Sequence, residues 1–202
     1  MTIQTNTLQR TLIRVSGALC CAGLIAGCGV GPKPQAPVGT YDFGLPAYTT
    51  GQGARKLALK NLGQIEVAAP RWLDSANLYY RLAYADAAQP RAYTQTKWVM
   101  PPAGLVEARL KERAVAGGTV VGASGPLLRI EIDEFSQVFT AAQASKGVLR
   151  ARATLVGTPG SVKQKAFVFE EPATSADGPG GAAALSRASD SLVEAVLAWA
   201  GE

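Results

Sequence analysis

The sequence predicts an α+β domain, a mainly antiparallel or mixed sheet of about six strands with two helices packed on one face. Three observations lead there. Segments that alternate apolar and polar residues recur in both halves of the chain. Two stretches carry apolar residues at helical spacing, one after Pro101-Pro102 and one at the C-terminal end. Glycine- and proline-containing breaks separate these segments. The chain reads strands, helix, three strands, helix, and its two halves share an order of elements without a sequence repeat that would mark a duplication.

Residues 1–27 stand outside that domain. Arg10 and Arg14 precede an apolar run from Val15 to Ala26, which falls short of the ~20 residues a spanning helix requires and reads as a secretory signal. Ile25-Ala26-Gly27-Cys28 resembles the lipobox of bacterial lipoproteins. That resemblance implies that Cys28 becomes the first mature residue, its thiol diacylated and its new amino group acylated. Several acyl chains on one residue make a lasting membrane anchor, whereas one binds marginally. The alternative is a plain signal peptide cleaved near Ala26. Cys20 and Cys21 leave with the signal, so no disulfide holds the domain. Residues 28–39, with Gly29, Gly31, Pro32, Pro34, Pro37 and Gly39, read as a tether. In enterobacteria an aspartate directly after the lipidated cysteine retains a lipoprotein in the inner membrane. Gly29 stands there in this chain, so by that analogy the anchor lies in the outer membrane and the domain faces the periplasm.

The single domain spans residues 40–202. Thr40 to Leu45 reads as a short edge strand before Pro46, and Thr49 to Ala54 as a loop. Leu57 to Val67 reads as one strand with a bulge at Gly63. A turn, Arg71 to Asn77, carries Trp72. Leu78 to Tyr84 follows as a strand, with Leu78, Tyr80, Leu82 and Tyr84 on one face and Tyr79, Arg81 and Ala83 on the other. Asp86 to Pro90 supplies turn chemistry, and Ala92 to Met100 completes a hairpin.

Pro101-Pro102 ends that strand and opens a helix, because a first turn does not need the missing N–H. Its predicted buried stripe is Leu105, Val106, Leu110, Ala114 and Val115, with Glu107, Arg109, Lys111, Glu112 and Arg113 mostly on the wet side. Gly117-Gly118 stops it. Leu128, Ile130 and Ile132 alternate with Arg129, Glu131 and Asp133, and the extra polar Glu134 marks a bulge. Leu149 to Leu155 and Lys163 to Glu170 give two more strands, joined by a turn at Gly157 to Gly160. Pro172 to Gly181 reads as a loop. Leu185, Ala188, Leu192, Val196 and Trp199 then fall at helical spacing, widened by Val193 and Leu197.

Composition narrows the chemistry. The chain contains no histidine, which removes the usual general base, the Ser-His-Asp arrangement and the commonest zinc ligand. Neither a Gly-x-Ser-x-Gly elbow nor a phosphate-cradling loop is present. Glu131, Asp133 and Glu134 admit a calcium or acid/base reading, but a solvated strand face explains them without metal. The formal charge of +5 falls by two when Arg10 and Arg14 are removed, and the remaining Lys and Arg are scattered among acids. Nucleic-acid binding gains no support from that pattern. The reading is a non-enzyme without metal or cofactor.

Binding is the stronger class. Trp72, Tyr79, Tyr84, Tyr93 and Trp98 crowd one proposed hairpin and the turn before it. Aromatics anchor interfaces, and they also fill cores. Trp98, between strand and helix, is assigned to the core, and Tyr79 with Arg81 to a partner surface.

The lipobox, Tyr41-Asp42-Phe43, Pro70-Arg71-Trp72-Leu73-Asp74, Tyr79-Tyr80-Arg81-Leu82, Trp98 before Pro101-Pro102 and the Ile130-to-Phe139 strand resemble the ABC-type transport auxiliary lipoproteins, the PqiC-like family. The resemblance covers nearly all of the mature chain through an ordered set of short, mostly structural matches. It implies a periplasmic lipoprotein working beside an ABC transporter and an MCE-domain (mammalian cell entry) protein in the traffic of lipids or hydrophobic compounds. The family has no catalytic residues to carry over, and its usual basic turn after Leu-Asp is replaced here by Ser75-Ala76. An adaptor needs no internal cavity. A lipid carrier requires an apolar pocket between helices and sheet, and a purely structural envelope protein requires neither partner nor pocket.

Overall fold

The computed structural model describes residues 37–46, 55–122, 124–157 and 160–202. The signal segment, Cys28, the tether as far as Ala36 and the predicted Thr49–Ala54 loop lie outside them. The strands are β1 (Gly39–Tyr41), β2 (Asn61–Leu62), β3 (Gln64–Ala68), β4 (Asn77–Leu82), β5 (Asp86–Trp98), β6 (Val120–Val121), β7 (Leu127–Ala141), β8 (Ala144–Val156) and β9 (Val162–Pro172). The helices are α1 (Pro102–Ala116) and α2 (Gly178–Ala200), and a 3-10 turn covers Arg71–Leu73.

The main sheet is mixed and seven-stranded, in the order β1-β5-β4-β7-β8-β9, with β3 also on β7. Its spine is β7. β8 runs antiparallel along one edge of β7 for its whole length. The other edge is shared by two parallel strands in line, β3 on Leu127–Glu131 and β4 on Gln137–Phe139. One face of this sheet carries both helices. Leu128, Ile130, Ile132 and Phe135 of β7 and Leu149, Ala151 and Ala153 of β8 belong to the same buried cluster as Leu105, Val106 and Leu110 of α1 and Leu185, Leu192 and Val196 of α2. The predicted α+β architecture is therefore the observed one, with Trp98 in the core at 2% exposure.

Several elements differ from their sequence reading for identifiable reasons. Leu57–Val67 is not one strand: Gly63 separates β2, which pairs with β6, from β3, which pairs with β7. The hairpin turn lies at residues 83–85, and Asp86–Pro90 already belongs to β5. Pro90 is tolerated there because β1 covers only Thr96–Trp98 of β5 and leaves the rest of that edge open. β1 ends at Tyr41, where the Asp42 carboxylate accepts a hydrogen bond from the Gly44 N–H and turns the chain at positive φ. Val115 is 63% exposed, whereas Arg109 and Arg113 are buried. Those two arginines face α2: Arg113 forms a two-pronged bond to Glu194, and Arg109 reaches Asp190 at 3.3 Å. The predicted stop holds. Gly118, at φ 86°, lets its own N–H bond Val115 O while Thr119 N–H bonds Ala114 O, closing α1.

The segment read as a loop up to Gly181 contributes the first turn of α2 from Gly178. Its glycines oppose helix formation by propensity, but they allow close docking. A Cβ at Gly178 would lie 2.2 Å from Thr96 Oγ1, and one at Gly181 would lie 2.1 Å from Gln137 Oε1. Further along, the α2 backbone rests against Gly147 of β8, where a Cβ would approach Ala184 C within 2.8 Å. Asp177 caps the helix, its carboxylate accepting from Gly180 N at 2.9 Å and from Ser175 Oγ at 2.6 Å. The Ser175 hydroxyl and the Gly180 N–H hold the Asp177 carboxyl below the usual carboxylate range. Because the folded value is the lower one, the stabilisation is present above the ordinary range and is lost as pH falls through the depressed value. Asp177→Ala is expected to lose about 1 kcal/mol at neutral pH. In urea unfolding the difference from the unsubstituted protein should shrink toward zero in strong acid. A difference unchanged by acid would place the effect in packing rather than in the cap.

Candidate partner interface

Among the described residues the second face of the sheet carries no helix, and its relief is set by how β7 is paired. β3 leaves β7 after Ala68, opposite Glu131, and β4 joins at Tyr80, opposite Gln137. The interval coincides with the register shift between Ile132 and Glu134 against β8, the bulge expected from the extra polar residue. Here the chain swings out of the sheet as the 3-10 turn, burying Leu73 completely and leaving Trp72 half-buried. The result is a groove of about 410 Å³ whose walls include Ala68, Pro70, Trp72, Ile132, Asp133 and Arg152.

Tyr79 and Arg81 stand beside this groove. Tyr79 packs edge-on against Trp72, ring centroids 5.3 Å apart, and its hydroxyl meets Ser75 Oγ at 3.3 Å and accepts from Asn77 Nδ2 at 3.4 Å. The Arg81 guanidinium lies 5.3 Å from the Trp72 ring centre, pairs with Glu134 at 2.9 Å and donates to the carbonyls of Ala87 and Ala88. Both expected partner-surface residues are thus brought together, with Trp72 between them and the groove. Arg81 also ties β4 to β7 and to β5. At 17% side-chain exposure for both partners, the Arg81–Glu134 pair is more than a surface ornament.

The acidic cluster weighed as a metal or acid/base site is neutralised from within. Asp133 accepts two bonds from Arg152, at 3.0 and 2.9 Å; Glu131 lies 3.1 Å from the same guanidinium; and Glu134 belongs to Arg81. Asp133 first, and then Glu131, raise the Arg152 guanidinium further above its already basic value. Among the described residues no group of three or more His, Cys, Asp or Glu is placed to hold a metal ion. On the other face, a groove of about 590 Å³ runs along α1 and α2, but Arg109, Arg113, Asp190 and Glu194 line it together with Val193 and Ala198. Burial raises the Asp190 carboxyl, against the pull of Arg109. The charged groups in this groove are paired with one another, Arg109 with Asp190 and Arg113 with Glu194. Between helices and sheet, Leu110, Leu128, Ile130, Leu149, Leu185, Leu192 and Val196 are all fully buried. Sequence reasoning missed Arg109 and Arg113 because their partners lie about 80 residues away.

Residues 43–197 match the family model described as the ABC-type transport auxiliary lipoprotein component. The chain belongs to this family. Its fold is similar to that of a Xanthomonas campestris protein of family DUF330, at 18% identity over 82% of this chain and 91% of that one, with a TM-score of 0.64. A second solved structure, an uncharacterized protein, is similar at 15% identity, covering 80% of this chain and 97% of the other, with a TM-score of 0.62. No curated protein matches the chain. For an auxiliary component, the helix-free face with its groove is the surface to test. Since Arg81 serves the fold as well, Arg81→Met is expected to lose roughly 1–3 kcal/mol by stranding Glu134. Adding Glu134→Gln should recover part of that loss. Strict additivity in urea unfolding would mean the pair is not coupled.

Proposed function

We propose that the protein is a non-catalytic adaptor of an MCE-type ABC transport system for lipids or hydrophobic compounds. It is anchored by acyl chains on Cys28 in the outer membrane, with its domain on the periplasmic side and its helix-free face, including Trp72, Tyr79 and Arg81, toward the MCE-domain protein. The observation that carries this reading is the family match over residues 43–197. The filled space between helices and sheet favours an adaptor over a lipid carrier, because an acyl chain there would have to displace fully buried side chains. The aromatic and guanidinium groups beside the groove supply the residue types that dominate interface energetics.

The lipidated protein, extracted from its native host in mild detergent, is expected to bring down an MCE-domain protein identifiable by mass spectrometry. Recovery of lipid alone would transfer the function to a carrier. With Tyr79→Ala and Arg81→Ala combined, capture should fall at least about tenfold, the size expected for interface anchors. Circular dichroism must show that the domain stays folded. Capture unchanged in a folded double variant would place the docking surface elsewhere.

Processing is tested separately. Cys28→Ser should abolish incorporation of labelled palmitate and leave the precursor uncleaved. A protein still cleaved to its mature length, and free of the membrane, would point to the plain signal peptide.

A further inference from the structure

We propose that the end of the sheet formed by the β4–β5 and β7–β8 turns rests on the phospholipid bilayer that holds the acyl chains. This depends on the reading of Cys28 as the lipid anchor and adds which end of the domain the membrane meets. Both turns lie at one end, because β4 and β7 run parallel and the Ala83 N–H donates to the Phe139 carbonyl at 2.9 Å. The chain also arrives from that end. β1 runs parallel to β5 with Gly39 beside Thr96, so the backbone enters the sheet from the Asp86 side of β5. Fully extended, residues 28–38 reach at most about 36 Å, and β5 from Thr96 back to Asp86 covers about 33 Å. An anchor on Cys28 therefore reaches the level of the two turns with almost no length to spare. A bilayer at the opposite end would require that chain to reverse along the sheet.

The composition of the two turns fits a lipid surface. Glycine, asparagine, aspartate and proline are the usual residues of hairpin turns, and the β8–β9 connection at the opposite end has them in Gly157, Pro159 and Gly160. Here residues 83–85 are Ala-Tyr-Ala and residues 141–144 are Ala-Ala-Gln-Ala, all exposed. Tyr84 is 53% exposed, and an apolar ring with a polar tip suits the headgroup boundary. Val138 to Ser145 carries no charge. Leu82 to Pro90 carries only Asp86, whose carboxylate accepts from the Ala88 N–H at 2.9 Å. The Lys146–Glu170 ion pair stands about 10 Å behind Gln143. These tips thus enter the headgroup layer at little desolvation cost. One tyrosine binds a membrane weakly, but a tethered contact is intramolecular, so a weak one suffices. In this pose the groove at Ile132 and Asp133 stands about 30 Å above the bilayer.

The test uses the lipidated protein reconstituted in phosphatidylcholine vesicles, with a thiol-reactive fluorophore on Tyr84→Cys or on Ala142→Cys. An acylated Cys28 thiol does not take the label. Lipids carrying a nitroxide near the headgroup are expected to quench both probes. They should leave a probe on Val162→Cys, 58% exposed at the opposite end of the sheet, unquenched. Tyr84→Asp should reduce quenching of the Ala142→Cys probe severalfold by placing a charge at the boundary. Flotation with the vesicles reads the anchor itself. Protein that does not float would overturn the Cys28 reading and this proposal together. Protein that floats with residues 84 and 142 no more quenched than 162, or with quenching indifferent to Tyr84→Asp, would overturn the orientation alone.

Discussion

The fold depends on the fact that β7 is far longer than the strands available to cover one of its edges. At about 3.3 Å per residue, its fifteen residues extend for roughly 50 Å. β8 matches that length on one side. On the other, the five residues of β3 and the six of β4 must be laid end to end, both parallel to β7. A chain running twice in the same direction along one edge needs a link that stays near the edge without continuing the ladder. The Arg71–Leu73 turn provides it by driving Leu73 inward and Trp72 outward. The bulge in β7 falls opposite the same interval, so the break in pairing and the groove on the helix-free face have one cause. The candidate interface is a consequence of how the sheet is closed, which is why it sits on rigid elements rather than on a loop.

What was legible in the sequence follows the range of the interactions involved. Half-buried strands announce themselves by local alternation: β9 is legible to within two residues and the bulge at Glu134 is visible, whereas Leu149–Leu155 covers only the later part of β8 and the alternation read from Leu128 to Phe135 stops six residues before β7 ends. The faces of β4 were also legible, because a period of two assigns every side chain once one is placed. Gly63 was visible as a break, but not as the point where the chain leaves one sheet for another. That depends on β6, more than fifty residues later. The start of α2 was hidden for a different reason: glycine and proline argue for a loop unless one knows that Thr96 and Gln137 press against them. The groove itself could not be read, since it needs the pairing of β3 and β4 on one edge of β7.

The two arginines of α1 show the limit of amphipathic patterning. A helical wheel sorts residues by hydrophobicity and assigns Arg109 and Arg113 to water. In the fold that side of α1 meets α2, where the two guanidinium groups are buried against Asp190 and Glu194, acids that themselves stay about half exposed. Burying a guanidinium is costly unless its donors are satisfied. Arg109 meets part of that requirement with more than its acids: its Nη2 donates to the carbonyls of Phe43 and Gly44 at 2.9 and 2.6 Å, while its Nη1 lies 3.3 Å from Asp190 without a hydrogen bond. The helix pair and the N-terminal segment are therefore fastened by one side chain.

That fastening bears on how the domain would carry load applied through its N-terminal segment. On the reading of Cys28 as the lipid anchor, any pull from the bilayer enters the domain through β1. Three residues of edge strand would resist poorly alone, since an edge ladder can be peeled one bond at a time. Two residues further on, the Phe43 ring is buried edge-on against Trp98 at 5.7 Å and lies 6.2 Å from Phe135. Its carbonyl is held from both helices, by Arg109 and by Ser186 at 2.8 Å. Peeling β1 thus stops at a residue whose release would empty a core site and strand a buried guanidinium together. An adaptor that has to hold a fixed position between a membrane and a partner needs its anchor joined to the same rigid unit that presents its docking face. Here Phe135 and the bulge at Glu134 are neighbours on β7, one packing against Phe43 of the N-terminal segment and the other beside the groove.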